Sequence, residues 1–122
     1  MYIPKHFEVT DVTTLHELIH DYPLATLVTM SANGINANHI PMHLTDTPEP
    51  YGTLQGHMAR ANPLLGEISS DIQALVIFHG PNAYITPSWY ETKKEHGKVV
   101  PTWNYAVAHA YGILQIVDKP EW

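Results

Sequence analysis

Two short stretches of the chain combine residue types that could bind a ligand with an anionic end and a planar end. Residues 56–63 have the sequence GHMARANP and contain Arg60, the only arginine in 122 residues. Residues 101–105 have the sequence PTWNY, with an asparagine between two large aromatic side chains. A guanidinium donates paired hydrogen bonds to phosphate oxygens, and aromatic rings can cover a planar ligand. Both stretches are therefore candidate binding segments.

Each stretch also has a purely structural interpretation. Arg60 is predicted where a strand ends and a short helix begins, and free N–H groups at a helix start favour an anion. The alternative is a surface arginine that pairs with Glu67 or with solvent. On a strand, Trp103 and Tyr105 point to one side and Asn104 to the other. The alternative there is that the two rings belong to the core of a barrel.

The nine histidines of the chain raise the question of a metal site. Residues 16–20, HELIH, match the zinc-protease motif H-E-x-x-H on a predicted helix. A catalytic zinc also needs a third ligand and a walled cleft. The helical wheel places both histidines on the flank of the apolar side of the helix, which predicts solvated side chains and no zinc. That apolar side consists of Leu15, Leu18, Ile19 and Tyr22.

Three further histidines lie on predicted neighbouring strands. His39 and His43 are four residues apart and share one face of a strand, and His57 lies on the next strand. Together they could bind a metal or haem. The preferred interpretation is three half-buried histidines that form hydrogen bonds with the backbone, so no metal ligand is assigned.

Composition narrows the classes of function. A chain of 122 residues predicts one compact domain, residues 1–122. Its net charge of −6 lacks the basic footprint that nucleic-acid binding needs, so direct DNA binding is disfavoured. The absence of cysteine excludes disulfides and thiolate metal sites, and it fits a cytoplasmic protein. No apolar run is long enough to span a bilayer, and the first residues do not resemble a secretory signal.

The pattern of elements predicts a mostly β fold. Asp11 is expected to cap a helix that runs to Tyr22, and a second, short helix is expected at residues 59–69. Asn33-Gly34 predicts a hairpin, and Pro41 predicts a bulge or an edge position. Six strands joined largely by short turns favour a small antiparallel barrel. These strands are expected at residues 24–30, 35–44, 52–58, 73–79, 83–86 and 102–117, with a long loop at residues 87–101.

Six segments of the chain resemble the PaiB family, which is described as FMN-binding negative transcriptional regulators. The resemblance runs in the same order over essentially the whole chain. The segments have the sequences MYIPKHF, ANHIP, GTLQGHMARANP, GPNAYI, PSWY and VVPTWNY.

The resemblance implies an FMN-binding split barrel, similar to pyridoxamine-phosphate oxidases and small flavin reductases, that forms a homodimer with flavin sites between the subunits. It places residues 38–40 along the isoalloxazine ring, residues 56–58 on the neighbouring contact strand and residues 60–62 at the phosphate-binding turn. The implied cofactor-binding residues are Asn38, His39, Ile40, Gly56, His57, Met58, Arg60, Ala61, Asn62, Trp103 and Asn104.

Two departures from the family pattern shape the functional expectation. Related oxidases usually carry a basic residue where Asn38-His39 stands, so no catalytic residue is assigned. Family members usually continue into a further C-terminal segment, whereas this chain stops at Trp122. The resulting hypothesis is an FMN-binding regulator. The alternatives are a flavin reductase or oxidase that uses the same pocket, and a haem-binding split barrel.

Overall fold

A computed structural model describes residues 1–86, 88 and 101–120 of the chain. The predicted loop at residues 87–101 therefore lies almost entirely outside the described residues. The described part contains one α-helix, five strands and two short 3₁₀ helices. The α-helix is α1 (Val12–Asp21), and the strands are β1 (Leu24–Ser31), β2 (Gly34–Thr45), β3 (Thr53–Gly56), β4 (Ala74–Ile85) and β5 (Thr102–Gly112). The 3₁₀ helices are Lys5–Phe7 and Pro63–Gly66.

The strands form a single antiparallel sheet in the order β3-β2-β1-β4-β5. This confirms the mostly β, antiparallel architecture. The hairpin predicted at Asn33-Gly34 is also confirmed, because Ser31 pairs with Gly34 at the β1–β2 turn. Gly34 has a φ of 106°, which glycine adopts without the steric cost that other residues incur.

The described residues form five strands where six were predicted. The sequence Gly80-Pro81-Asn82 was expected to end one strand and begin another. Instead β4 continues through it, with a shift in its register against β5 between His79 and Asn82. The strand tolerates Pro81 at this register shift. β1 pairs only with residues 75–78 of β4, so Pro81 has a described neighbour strand on one side alone.

The second predicted helix is only one 3₁₀ turn, Pro63–Gly66. Asn62 caps the turn and Pro63 occupies its first position, as helix starts prefer. Gly66 and Ser69 favour helices poorly, so nothing extends the turn into an α-helix. The last strand is also shorter than expected, because it ends at Gly112 rather than at residue 117.

Pro41 lies neither at a bulge nor on an edge strand. The β1–β2 register runs without a shift to the pair Leu24 and Pro41, and pairing with β3 begins at Met42. Pro41, which lacks an N–H group, thus lies where the pairing of β2 with β1 ends and the pairing of β2 with β3 begins. The Met42 N–H donates to the Pro23 carbonyl at 2.9 Å, which continues the ladder beyond the proline.

Helix α1 packs against the inner face of the sheet and leaves the opposite, outer face without a covering element in the described part of the chain. Asp11 caps the helix as predicted, accepting from the Thr14 N–H at 3.2 Å. Leu15 and Leu18 pack against the core as expected, whereas Tyr22 is 40% exposed. The buried core consists of Ile19, Ala25, Leu27, Ile40, Leu44, Leu64, Ala74, Val76, Phe78 and Ala108.

Candidate functional site

Asn62 connects the turn that carries Arg60 to the middle of β2. The side-chain oxygen of Asn62 accepts a hydrogen bond from the Leu64 N–H at 3.0 Å, which caps the 3₁₀ helix. The side-chain nitrogen of Asn62 donates to the side-chain oxygen of Asn38 at 2.9 Å. One side chain therefore fixes the position of residues 59–62 against the sheet.

This arrangement also fixes the orientation of the Asn38 amide. Since the cap requires the oxygen of Asn62 to accept, its nitrogen must donate, and Asn38 must present its oxygen in return. The Asn38 Nδ2 atom then faces the other way, where it is buried and has no hydrogen-bond partner among the described residues. Buried donors without a partner are rare in folded proteins, so this N–H is available to an acceptor other than the residues that the structure describes.

The alternation of β2 separates the residues predicted to line a flavin ring. Asn38 and Ile40 point to the inner face, and Ile40 is buried in the core. His39 points to the outer face, where its Nδ1 atom lies 3.2 Å from the Thr26 hydroxyl oxygen. Asn38 and Ile40 therefore share the inner face of the sheet, whereas His39 lies on the outer face.

Gly56 lies beside Ile40 because β3 pairs with β2. A Cβ atom on Gly56 would lie 2.8 Å from the Met42 sulfur and 3.1 Å from the Ile40 Cγ2 atom. These side chains explain why glycine stands there. Beyond the end of β3, Met58 packs against the core and His57 is exposed. The motifs at residues 38–40 and 56–58 thus lie side by side, as expected for neighbouring strands.

Arg60 lies in a turn in which the Asn62 N–H donates to the Ala59 carbonyl at 2.9 Å. Its guanidinium forms an ion pair with Asp118, with 2.6 Å between Nη1 and Oδ1. Both side chains are exposed, at 79% for Arg60 and 61% for Asp118. Arg60 is thus a surface arginine, as the alternative interpretation expected. Its partner is not Glu67, because the Glu67 carboxylate accepts hydrogen bonds from Ser31 and Asn33.

Trp103 and Asn104 lie on β5, at the opposite edge of the sheet from β3. The indole N–H of Trp103 donates to the Asn82 side-chain oxygen at 3.0 Å, and its ring centroid lies 5.8 Å from that of Tyr84. The barrel-core interpretation is wrong, because Trp103 and Tyr105 are 55% and 62% exposed. The strand order of one chain does not bring these residues next to the motifs on β2 and β3.

The H-E-x-x-H motif has a structural contact that the helical wheel did not predict. His16 Nε2 lies 3.0 Å from the Tyr51 carbonyl oxygen, so this nitrogen donates. His16 Nδ1 lies 3.5 Å from an Asp46 carboxylate oxygen. The expectation of a solvated His16 is therefore wrong, since only 16% of its side chain is exposed, whereas His20 is exposed as expected. Within residues 1–86, 88 and 101–120, no three histidine, aspartate or glutamate side chains are placed to bind one metal ion.

Two residues of this region carried no signal in the sequence. Asp118 stands in an irregular segment beyond β5, and neither its spacing nor its neighbours connect it with Arg60. Asn82 belongs to a sequence that is typical of a turn, and its contact with Trp103 depends on the register shift inside β4. Both contacts follow from tertiary placement, which local patterns do not encode.

Comparison with known proteins shows the family to which the chain belongs. A family model described as "Putative FMN-binding domain" matches residues 1–122, the whole chain. The chain belongs to this FMN-binding domain family. Its resemblance to the PaiB family is thereby confirmed, since one relative that it matches is the PAI 2 protein of Bacillus subtilis.

That relative is named protease synthase and sporulation protein PAI 2. It is 35% identical over 121 residues, which cover 99% of this chain and 56% of the relative. An uncharacterized protein of Saccharomyces cerevisiae is 32% identical and aligns with 100% of this chain and 83% of its own length. A third, from Emericella nidulans, is 38% identical over 95% of this chain and 57% of its own length. The chain thus spans little more than half the length of the first and third relatives.

The chemistry of the donor groups fits the FMN of this family. Arg60 offers charged N–H groups for a phosphate, and the buried Asn38 Nδ2 offers a donor that no described residue accepts from. FMN, when bound, supplies a redox-active ring, while the residues described here can supply binding and orientation. No helix in the described part of the chain has the length and apolar character needed to cross a bilayer.

Proposed function

We propose that this chain is an FMN-binding protein in which Arg60 binds the phosphate and the Asn38 side chain orients the ligand. The observation that carries the proposal is the hydrogen bond between Asn62 and Asn38, because it holds the arginine turn against the strand with the free donor. In the same proposal Ile40, Gly56 and Met58 support the site from the inner face. His39, His57, Ala61, Trp103 and Asn104 complete the cofactor-binding set.

We further propose a homodimer of split barrels. Exposed apolar side chains on the outer face support it, because such a surface usually marks an interaction site. A second copy would cover this face and could bring its own β5 aromatic residues toward the site on the first copy. The outer-face apolar residues are Leu24, Val28, Met30, Ile35, Leu75, Ile77 and Tyr111.

For the biological role, we propose negative regulation of gene expression of the PaiB type without strong direct DNA binding. The family resemblance supports the regulatory role, and the net charge of −6 supports an indirect route, because phosphate neutralisation requires basic side chains. Rapid oxidation of reduced nicotinamide by the FMN-loaded protein would favour the flavin-reductase alternative instead.

The deciding experiment compares FMN with riboflavin, which lacks only the phosphate. Arg60→Ala should weaken FMN about tenfold and leave riboflavin unchanged, since a charge-assisted hydrogen bond contributes about 1.5–3 kcal/mol and exposure favours the lower end. Lys5→Ala is the matched control, because it removes a cation from a different part of the chain. Quenching of flavin fluorescence gives both dissociation constants. Equal weakening of the two ligands would place Arg60 away from the phosphate.

A further inference from the structure

We infer that Asp118 is an internal competitor for the anion site, which lowers the preference of this protein for phosphorylated over unphosphorylated flavin. The inference rests on the proposed FMN site. It assigns a specificity-determining residue to the irregular segment that follows β5. No motif of the sequence places this residue near the ligand.

The geometry of the ion pair supports competition. The Asp118 carboxylate lies 2.6 Å from Nη1 of Arg60, the only guanidinium in the chain. Carboxylates and phosphates use the same N–H pairs of a guanidinium. A phosphate that bound Arg60 while Asp118 remained in place would lie within a few ångströms of a second negative charge. That repulsion must either weaken the phosphate or displace the carboxylate.

The segment that carries Asp118 is attached so that displacement is feasible. Leu114 packs against the core and anchors the start of the segment just beyond Gly112. Asp118 lies farther along the segment, and its side chain is mostly exposed. Loss of the ion pair therefore leaves the Leu114 anchor intact, and the carboxylate can move away without disturbing the core.

Exposure also limits how strongly Asp118 can compete. Exposed ion pairs contribute little because water and salt screen them. Removal of the Asp118 charge should therefore tighten FMN binding by about two- to fivefold at low salt and by less at high salt. Riboflavin should be unaffected, because it carries no phosphate to compete with.

The test uses Asp118→Asn, which keeps the shape of the side chain and removes its charge. Dissociation constants for FMN and riboflavin are measured by fluorescence quenching at low and at high ionic strength. Asp71→Asn is the matched control, because it removes an equal charge from another exposed aspartate. The expected result is tighter FMN in Asp118→Asn alone, with no gain when the same change is made in an Arg60→Ala background.

The outcomes separate this inference from the proposed function. If Arg60→Ala selectively weakens FMN but Asp118→Asn leaves FMN unchanged or weaker, the FMN site stands and the competitor role is overturned. Equal tightening of FMN and riboflavin would also overturn it, since the effect would not involve the phosphate. If the unaltered chain binds neither flavin, both the site and the competitor role are overturned.

Discussion

Asn38 and Asn62 are 24 residues apart in the chain and are joined by a side-chain hydrogen bond of 2.9 Å. Because Asn62 also caps the 3₁₀ helix, a single amide serves the local turn and the tertiary contact at once. The position of Arg60 relative to the sheet therefore depends on Asn62 more than on any contact of Arg60 itself.

Replacement of Asn62 should consequently affect both stability and ligand binding. Asn62→Ala removes the cap and leaves the part-buried Asn38 oxygen without its donor, so we expect a loss of roughly 1–3 kcal/mol in the free energy of unfolding. Urea denaturation measures it. Asn36→Ala, an exposed asparagine on the same strand as Asn38, is the control and should shift stability by less than about 0.5 kcal/mol. Similar losses in the two variants would contradict the role given to Asn62.

Gly56→Ala should lower stability moderately. The new methyl group meets the flexible end of Met42, which can shift, and the Ile40 Cγ2 atom, so overpacking should cost about 1 kcal/mol, the lower end of its usual range. Gly66→Ala is the control, because nothing lies within 4 Å of its added Cβ atom. Thermal unfolding compares the two, and Met42→Ala in the Gly56→Ala background should recover part of the loss. A stable Gly56→Ala variant would argue against the described contact between β2 and β3.

The two histidines of the H-E-x-x-H motif should behave differently. His16→Ala removes the hydrogen bond that ties α1 to the Tyr51 carbonyl, so we expect a loss of about 1 kcal/mol in stability. His20→Ala changes an exposed side chain and should have an effect within about 0.5 kcal/mol. Chemical denaturation measures both variants. Equal and negligible effects would mean that the His16 contact does not stabilise the helix.

His109 should make the fold less stable in mild acid. Partial burial lowers the pKa of His109, with smaller contributions from the N-terminal amine and His79. The folded state thus binds a proton less readily than the unfolded state, whose histidine pKa is about 6.5. Stability should therefore be unaffected by this group well above that pKa and should fall as the pH drops through it.

Melting temperatures of the unaltered protein and of His109→Gln, measured between pH 8 and pH 5, check this expectation. The variant should lose less stability over the range, because it lacks the titrating group. His20→Gln, which replaces an exposed histidine on α1, is the control. If His109→Gln shows the same decline as the unaltered protein, other groups cause the acid sensitivity.

Local patterns in the sequence predicted those features that depend on neighbouring residues. The Asp11 cap and the Asn33-Gly34 hairpin were found because a few adjacent residues determine each of them. The turn predicted at Gly80-Pro81-Asn82 was wrong. The sequence is typical of a turn, but it lies within a strand that pairing with β5 maintains. The single sheet described here does not by itself confirm the expected split barrel, which stays a prediction.

The candidate site likewise contains residues that the local sequence predicted and contacts that it did not. Arg60 and Asn62 stood out from composition and from their position at a predicted helix start. Asn38 was named through the family resemblance, and Asp118 was not singled out at all. Their contacts with Asn62 and Arg60 were not predicted, because strand register and the path of the chain after β5 determine them. His16 was misplaced because a helical wheel describes only the helix and leaves out the loop that packs beside it.

The register shift in β4 has a consequence for the folding of the far end of the sheet. Past it, residues 82–85 pair only with β5 among the described strands, so this end is a two-stranded ribbon with Trp103 and Tyr105 exposed. Two-stranded ribbons are marginally stable in water on their own. The ribbon should therefore open locally more readily than the rest of the sheet. If the proposed homodimer covers it, folding of this end and association of the chain become one linked equilibrium, and the order of the ribbon increases with protein concentration.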